Sequence, residues 1–345
     1  MTHLHIGHHF FGAGNFGDEL MLAGFLTEAK RHLGAGKFRL TCSIPFDLQP
    51  QRKRFPQVEW LPYDTSARRQ AIAECDAWVG VGDSPFQADA SSWFLDHLLE
   101  EQRFCEEHRK PMYFLGVGVN TPRDAAHGPT KQLVQGAVAV WTRDPLSAEL
   151  LRTIGGDKVI SGNDLSHAYL STLNFGPSNG TGTGFVLNFE DESHYSIDAI
   201  CAVLSRSERP AWLMQEVREL PGSEQSIYKS LPADIRARLP LRVPDYANAS
   251  TPALIGTWGA PRTLVTSRFH ATIVAGWAGW NIVCVERGTK VTAIANAIGA
   301  ESVADFTNAA KVVNAVNNAQ PAPRKVLHAL ADDTRRCCDE FFARV

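Results

Sequence analysis

The sequence has no apolar segment long enough to cross a bilayer. Its longest uncharged apolar run, residues 271–285, is shorter than the roughly 20 residues that a transmembrane helix needs, and it contains Gly276 and Gly279. Residues 2–9 are polar and rich in histidine rather than basic and then apolar, so we expect no signal peptide. The run 271–285 is therefore predicted to be buried core, and no membrane span is expected.

The sequence also has no large excess of one charge and no closely spaced pair of cysteines of the C-x-x-C type. The chain has 34 basic and 37 acidic residues and a net charge of −3, which gives no general affinity for nucleic acid. Its seven cysteines include no C-x-x-C pair, and Cys337 and Cys338 are adjacent, a poor geometry for bridging each other. We therefore expect a cytoplasmic location and no nucleic-acid partner.

No group of histidine, cysteine and acidic residues stands at the spacing of metal ligands. Four early histidines, His3, His5, His8 and His9, invite a metal hypothesis, and the first two share a strand face. They lack an acidic or cysteine partner at ligand spacing. The sequence therefore predicts no metal site and no cofactor.

What the sequence does contain is a regular alternation of strand-like and helix-like segments over 345 residues, a length that suits two domains. Predicted strands lie at residues 3–7, 38–44, 77–81, 112–117, 137–142, 158–161, 185–189, 211–215, 242–243, 263–267 and 281–285. Predicted helices between them include residues 19–33, 91–108, 146–154, 196–205, 252–258, 269–279 and 290–298. Strands separated by helices indicate parallel sheets covered on both faces.

A stretch rich in glycine, serine and asparagine, residues 174–184, separates two such series. We predict an α/β fold of two Rossmann-like domains facing a cleft, with domains at residues 1–175 and 184–320. Residues 321–345 are predicted to form a C-terminal helix that begins after Pro321 and Pro323.

Residues 263–290 contain the strongest functional signal. Arg268 and His270 follow a short β-branched strand and open a buried helix. Ligands bind at that edge of an open parallel sheet, and a helix N-terminus there favours anions. The two side chains suit a substrate with a carboxylate or phosphate, and the alternative is a capped turn with a structural ion pair.

The first strand is followed by the glycine-rich loop FFGAGNFGDE, which is neither G-x-G-x-x-G nor a P-loop. Gly14 and Gly17 permit close backbone approach, while Asn15 and Asp18 can cap the following helix and face a ligand. A plain strand-to-helix turn is the alternative. Polar residues also follow other predicted strands, where they either face a ligand or cap the next helix: Asp83, Asn120, Arg143 and Asp164.

These segments together resemble the polysaccharide pyruvyl transferase family. The resemblance is carried, in the family's order, by Gly14-Asn15-Phe16-Gly17-Asp18-Glu19, Val79–Asp83, Arg143-Asp144-Pro145-Leu146-Ser147, Ser267-Arg268-Phe269-His270 and Lys290. Two features depart from the family's pattern. The strand end Gly80-Val81-Gly82-Asp83 has fewer glycines than usual, and Trp280 stands where a proline is common.

The resemblance implies a fold similar to B-type glycosyltransferases and transfer of a pyruvyl group from phosphoenolpyruvate to a sugar, commonly as a ketal. It implies donor contacts from Arg268, Arg143 and Lys290. His270 would be the general acid/base, because histidine ordinarily titrates near neutral pH. Asp18 or Glu19 would activate acceptor hydroxyls. Other implied substrate contacts come from Ser267, Gly14, Asn15, Gly17 and Asp83.

Two other functions fit the same pattern. A nucleotide-sugar-dependent glycosyltransferase would have a similar fold and an anionic donor site, and a non-catalytic glycan-binding relative would keep the fold alone. The acceptor is expected to be a sugar or a lipid-linked saccharide, and the latter leaves peripheral contact with a membrane open.

Overall fold

A computed structural model describes residues 1–7, 10–34, 36–86, 93–176 and 180–345. The chain forms two compact units: the first comprises Met1–Ala13, Asp18–Tyr169 and Leu330–Val345, and the second comprises Gly14–Gly17 and Leu170–Ala329. The chain thus leaves the first unit before the predicted linker at residues 174–184, of which 177–179 lie outside the described residues. The predicted domain limits also placed Gly14–Gly17 in the first domain and Leu330–Val345 outside it. The structure assigns Gly14–Gly17 to the second unit and Leu330–Val345 to the first, because both assignments depend on long-range packing.

The first unit contains a parallel sheet of seven strands. The strands are β1 (Thr2–Ile6), β2 (Phe38–Ile44), β3 (Glu59–Pro62), β4 (Ala77–Val81), β5 (Met112–Val117), β6 (Ala139–Thr142) and β7 (Val159–Ser161). Their order across the sheet is β3-β2-β1-β4-β5-β6-β7. Successive residues of a strand face opposite sides, so Trp78 and Val79 lie in separate cores on the two faces of the sheet.

Helices connect these strands and cover both faces of the sheet. They are α1 (Phe16–Leu33), α2 (Leu48–Arg54), α3 (Thr65–Glu74), α4 (Trp93–Glu107), α5 (Pro122–Ala126), α6 (Gly128–Gly136), α7 (Pro145–Gly155) and α8 (Ser166–Leu170). Because every strand pair is parallel, each connection must cross from one end of the sheet to the other, which a helix achieves. All the strands therefore end at one edge of the sheet.

The second unit contains a parallel sheet of six strands. The strands are β8 (Thr183–Val186), β9 (Ala211–Leu213), β10 (Leu241–Arg242), β11 (Thr263–Thr266), β12 (Asn281–Val285) and β13 (Glu301–Val303), in the order β10-β9-β8-β11-β12-β13. Its helices are α9 (Ile197–Arg206), α10 (Glu224–Ser230), α11 (Ala233–Arg236), α12 (Thr251–Gly256), α13 (Phe269–Ala278), α14 (Thr289–Ile298) and α15 (Ala309–Asn318).

The last helix, α16 (Arg324–Phe342), begins directly after Pro323. Its C-terminal half packs on the core of the first unit. The ring of Phe341 lies 5.5 Å from that of Tyr113 and 5.9 Å from that of Trp141, and Trp141 Nε1 donates to Glu340 Oε2 at 3.0 Å. The predicted C-terminal helix is present, and its residues from Leu330 onward belong to the first unit because this face of the helix completes that core.

The central strands follow the predictions most closely. Strands β2, β4, β5 and β12 have the predicted bounds. The sequence missed β3 and β13, which lie at the edges of their sheets and are only partly buried. An edge strand needs no continuous apolar pattern, so its signal is weak. Within the described residues, no helix combines the length and apolarity that crossing a membrane requires.

Candidate functional site

The strongest predicted site residues lie where β11 passes into α13. Every residue of α13 is buried, as its small and apolar composition predicts, and the helix ends at Gly279 in the left-handed conformation (φ 73°). Arg268 is the N-cap residue, and His270 is the second residue of the helix. Residues at this position lie at the carboxyl edge of the sheet and at the positive end of the helix dipole, a favourable place for an anion.

Ser267 connects two neighbouring strands of the sheet. Its hydroxyl donates to the carbonyl of Asn188 at 2.7 Å and accepts from the backbone N–H of Asn188 at 2.8 Å. Asn188 follows β8, the neighbour of β11. The hydroxyl predicted to contact substrate therefore fixes the backbone from which Arg268 extends.

The guanidinium of Arg268 is held by two buried glutamates. Nε donates to Glu224 Oε1 at 2.7 Å, and Nη2 donates to Glu224 Oε2 and to Glu216 Oε2, each at 2.8 Å. Burial alone would lower the pKa of Arg268, but the two carboxylates outweigh it and raise that pKa. The sequence predicted that this fork would face the substrate. The structure directs Nε and Nη2 to protein carboxylates, and Nη1 makes no hydrogen bond among the described residues.

Neither glutamate carried a sequence signal as clear as that of Arg268. Glu216 lies in the loop after β9, and Glu224 is the first residue of α10 behind the N-cap Ser223. Burial raises the pKa of Glu216, but the positive charges of Arg268 and Arg218 more than offset it, so the pKa lies below its ordinary value. Arg268, Glu216 and Glu224 form a buried ion cluster, and Arg218 pairs with Glu216 at its edge.

The glycine-rich loop Gly14–Gly17 packs within the second unit. Phe16 N donates to Gln215 O at 3.2 Å, Val217 N donates to Gly14 O at 2.9 Å, and Gln215 Nε2 donates to Asn15 Oδ1 at 3.0 Å. Gly14 has a φ of 85°, and a Cβ there would lie 2.4 Å from Val217. The loop therefore pairs with the segment that carries Glu216.

The loop also brings Gly17 against His270. A Cβ at Gly17 would lie 2.3 Å from His270 Nδ1 and 2.8 Å from its Cγ, too close for any side chain. His270 is 7% exposed, and its ring meets that of Phe269 edge-on at 5.2 Å. The structure thus joins two motifs more than 250 residues apart in sequence, and glycine is needed because the imidazole fills the space.

Lys290 lies near another helix N-terminus at the same sheet edge. It is half-buried in the first turn of α14, which follows β12 and begins after the N-cap Gly288. The loop before it contains Arg287, a buried side chain that the sequence analysis did not single out. Arg287 carries a signal similar to that of Arg143, a cation within two residues of the end of a buried strand.

Two predicted substrate contacts meet in the first unit. Arg143 follows β6 and donates from Nη2 to Ser84 Oγ at 2.6 Å. Asp83 follows β4 in the left-handed conformation (φ 63°), and its carbonyl accepts from Gly118 N at 2.8 Å. A Cβ at Gly118 would lie 2.4 Å from Arg143 Nε, so these side chains and turns pack together. Their role in substrate binding stays a prediction.

Asp18 and Glu19 lie in the first turn of α1. Glu19 is fully buried and accepts from Gln51 Nε2 at 2.6 Å and from Gly12 N at 3.1 Å, and Arg54 Nη1 lies 3.2 Å from it. Burial raises the pKa of Glu19 and outweighs the lowering effect of Arg54. Glu19 is fully enclosed and accepts a hydrogen bond from the loop backbone at Gly12. The prediction that Glu19 activates an acceptor hydroxyl by direct contact therefore does not fit the structure. Asp18 is 4% exposed.

Among the described residues, one group of side chains has metal-ligand geometry: Glu28, His32 and Asp339. The cation Arg31 already pairs with both carboxylates of this group. The early histidines serve the sheet instead, since His3 and His5 both contact Thr41 Oγ1, at 3.1 and 2.9 Å. His8 and His9 lie outside the described residues.

Several solved structures share the fold of this chain. A putative UDP-N-acetylglucosamine 2-epimerase from Listeria monocytogenes matches with a TM-score of 0.64 and 12% identity, over 99% of this chain and 95% of that chain. The UDP-GlcNAc 2-epimerase from Neisseria meningitidis bound to UDP-GlcNAc gives 0.63 and 11%, over 99% and 100%. The Rickettsia bellii UDP-N-acetylglucosamine 2-epimerase gives 0.61 and 9%, over 99% and 95%. These likenesses show the fold alone, which is the two-domain, Rossmann-like fold of the B-type glycosyltransferases.

Comparison of the amino-acid sequence with family models identifies the family of this chain. No curated protein matches the chain. The family model described as polysaccharide pyruvyl transferase matches residues 15–279, most of the chain, from the glycine-rich loop to the end of α13. That span includes Asn15, Gly17, Arg268 and His270, which the structure assembles in the second unit. The chain is a transferase that belongs to the polysaccharide pyruvyl transferase family.

Proposed function

We propose that this transferase takes its pyruvyl group from phosphoenolpyruvate and closes a ketal on two hydroxyls of a saccharide. In this reaction the central carbon of the donor forms two bonds to acceptor oxygens, and its bond to the phosphate oxygen breaks. The two hydroxyls release two protons. One proton adds to the methylene carbon, which becomes a methyl group, and the other leaves with the phosphate. The reaction needs an anion-binding group beside a group that moves protons.

The observation that carries the proposal is the arrangement of Arg268 and His270 around the first residue of α13. Arg268 supplies positive charge at a helix N-terminus, and His270 supplies an imidazole that can both give and take a proton. The imidazole packs closely against Gly17, which limits how the ring can move on that side. A ring held in this way loses little freedom when the substrate binds, which favours proton transfer.

Arg268 binds the donor through one nitrogen in this proposal. Glu224 and Glu216 already accept from Nε and Nη2, which leaves the two N–H groups of Nη1 for a donor oxygen. The glutamates orient the guanidinium, and their charges make up for the cost of burying it. Donor affinity therefore depends on Glu224 as well as on Arg268.

The proposal is tested by phosphate release from phosphoenolpyruvate with a panel of saccharides that includes lipid-linked ones. We expect release that depends on the acceptor, together with thermal stabilisation of the protein by phosphoenolpyruvate. UDP serves as the comparison ligand. Stabilisation by UDP, with no response to phosphoenolpyruvate, would favour a nucleotide-sugar-dependent glycosyltransferase and contradict the proposal.

A further inference from the structure

Arg287 is a buried cation that the proposed mechanism has not used. Its side chain is 8% exposed, and Nη1 is fully enclosed with no hydrogen-bond partner among the described residues. Its ion pair joins Nη2 to Glu190 Oε1 at 3.3 Å, and the Glu190 side chain is 82% exposed. An exposed partner contributes little, whereas a buried donor without an acceptor costs free energy. A side chain in this state is suited to a ligand.

The strand order shows where the guanidinium of Arg287 points. Arg287 follows β12, Glu190 follows β8, and β11 lies between these strands. To approach Glu190, the side chain of Arg287 must pass over the carboxyl end of β11. That end continues into Ser267 and Arg268 and then into α13. Arg287 is therefore aimed at the edge of the sheet where the predicted donor-binding residues begin.

Arg287 keeps its positive charge although its side chain is buried. Burial and the positive charge of Arg268 lower the pKa of Arg287 to about 10, so the side chain remains charged at neutral pH. Glu216 and Glu224 are close enough to raise this pKa, but both are hydrogen-bonded to Arg268. The helix α14 begins two residues after Arg287, and its N-cap, Gly288, has no side chain to fill the N-terminal position. An oxyanion there would accept from the guanidinium and lie near a helix N-terminus.

We propose that Arg287 is a substrate-binding residue whose guanidinium donates to the phosphate of the donor. The inference rests on the proposed function, since phosphate is the group that leaves phosphoenolpyruvate. Phosphate carries more charge than a carboxylate and has three terminal oxygens, so it suits a guanidinium that lies next to a second guanidinium and a helix N-terminus. Arg268 Nη1 is then left for the carboxylate of the donor.

The test measures the dissociation constants of phosphoenolpyruvate, inorganic phosphate and pyruvate by calorimetry on the full chain. We expect Arg287→Gln to raise the dissociation constants of phosphoenolpyruvate and phosphate by about ten- to a hundred-fold, because one charge-assisted hydrogen bond is lost. Pyruvate, which has the carboxylate and no phosphate, is expected to bind both proteins equally. The melting temperature of Arg287→Gln should equal or exceed that of the wild type, because a poorly compensated buried charge is removed.

Glu190→Gln is the matched control, since it removes the exposed partner of the same ion pair. Phosphate should bind this variant as tightly as the wild type or more tightly. Unchanged phosphate affinity in Arg287→Gln would overturn the inference, as would a loss confined to pyruvate. Wild-type protein that binds inorganic phosphate through Arg287 but releases none from phosphoenolpyruvate would contradict the proposed function and leave the phosphate site standing. Wild-type protein that binds neither would overturn both.

Discussion

Arg268 and Glu224 form a two-point ion pair, in which Nε donates to Oε1 at 2.7 Å and Nη2 donates to Oε2 at 2.8 Å. Both side chains are buried, and the pair joins the N-cap of α13 to the first residue of α10. The residue with the strongest functional signal in the sequence is therefore also a structural connection. Substitutions at Arg268 will affect stability together with donor binding.

This relationship predicts a strongly non-additive double-mutant cycle. Arg268→Met and Glu224→Met should each lower the free energy of unfolding by about 3–5 kcal/mol, because each breaks a buried ion pair and leaves the remaining charge less well compensated. The double variant should lose clearly less than the sum. Urea denaturation of the wild type, the two single variants and the double variant measures these free energies of unfolding. Arg262→Met, at an exposed position before β11, should change stability by no more than about 0.5 kcal/mol. Additive losses would show that the pair has no direct coupling.

Arg268→Lys keeps the charge but loses the planar fork that Glu224 binds. We expect it to bind phosphoenolpyruvate more weakly than the wild type even at temperatures where it is fully folded. Calorimetric titration, with the folded fraction taken from circular dichroism, separates the two effects. Wild-type affinity in the folded Lys variant would show that charge alone is required.

Gly17→Ala tests the contact between the glycine-rich loop and His270. Gly17 lies in α1, where alanine is a better helix former than glycine, so the backbone itself tolerates the change. The added Cβ would overlap the imidazole, and a displacement of about 1 Å costs on the order of a hundred-fold in rate. Steady-state turnover measures the effect. The control is Gly256→Ala in α12, where a Cβ meets no atom within 4 Å. Equal turnover in both variants would contradict the assigned contact.

The pKa of Glu216 predicts how stability depends on pH. Because Arg268 and Arg218 hold this pKa below its ordinary value of 4.5, the unfolded chain binds the proton more readily than the folded chain. The stabilisation from Glu216 is therefore complete above pH 4.5 and is lost as the pH falls through the lowered value. Urea unfolding of wild type and Glu216→Gln over this acidic window should give a smaller pH slope for the variant. Identical slopes would show that Glu216 is not coupled to the arginines in the folded state.

We expect activity to survive chelation, because the cations Arg268, Arg287 and Lys290 carry enough positive charge to neutralise the leaving phosphate. Phosphate release should be the same before and after dialysis against a chelator. A loss of turnover that only a divalent metal restores would contradict this expectation.

The sequence predicted best what depends on local pattern. Buried central strands such as Met112–Val117 are continuous apolar runs, and the fully buried helix Phe269–Ala278 is visible from its small and apolar residues. The Arg268–His270 motif was found because a cation beside a buried helix needs a partner. The edge strand Glu301–Val303 was missed, because partial burial leaves no clear periodicity.

Long-range contacts account for most of what could not be predicted. Nothing near Glu216 or Glu224 indicates that they would meet Arg268, which is 52 and 44 residues away. Gly17 was predicted to let the backbone approach a ligand closely, yet the residue that requires its small size is His270, more than 250 positions later in the chain. Glu19 was predicted to be catalytic from its place in the family motif, and its complete burial became visible only in the folded chain.

We expect His270 to move a proton during pyruvyl transfer from phosphoenolpyruvate. The most direct measurement is the rate of acceptor-dependent phosphate release at saturating donor, compared between wild type and His270→Gln at equal concentrations of folded protein. We predict a fall of about a hundred- to ten-thousand-fold, with donor affinity within a few-fold of the wild type. His328→Gln, which alters an exposed histidine against Trp277, should retain full turnover. Near-normal turnover in folded His270→Gln would contradict this role of His270.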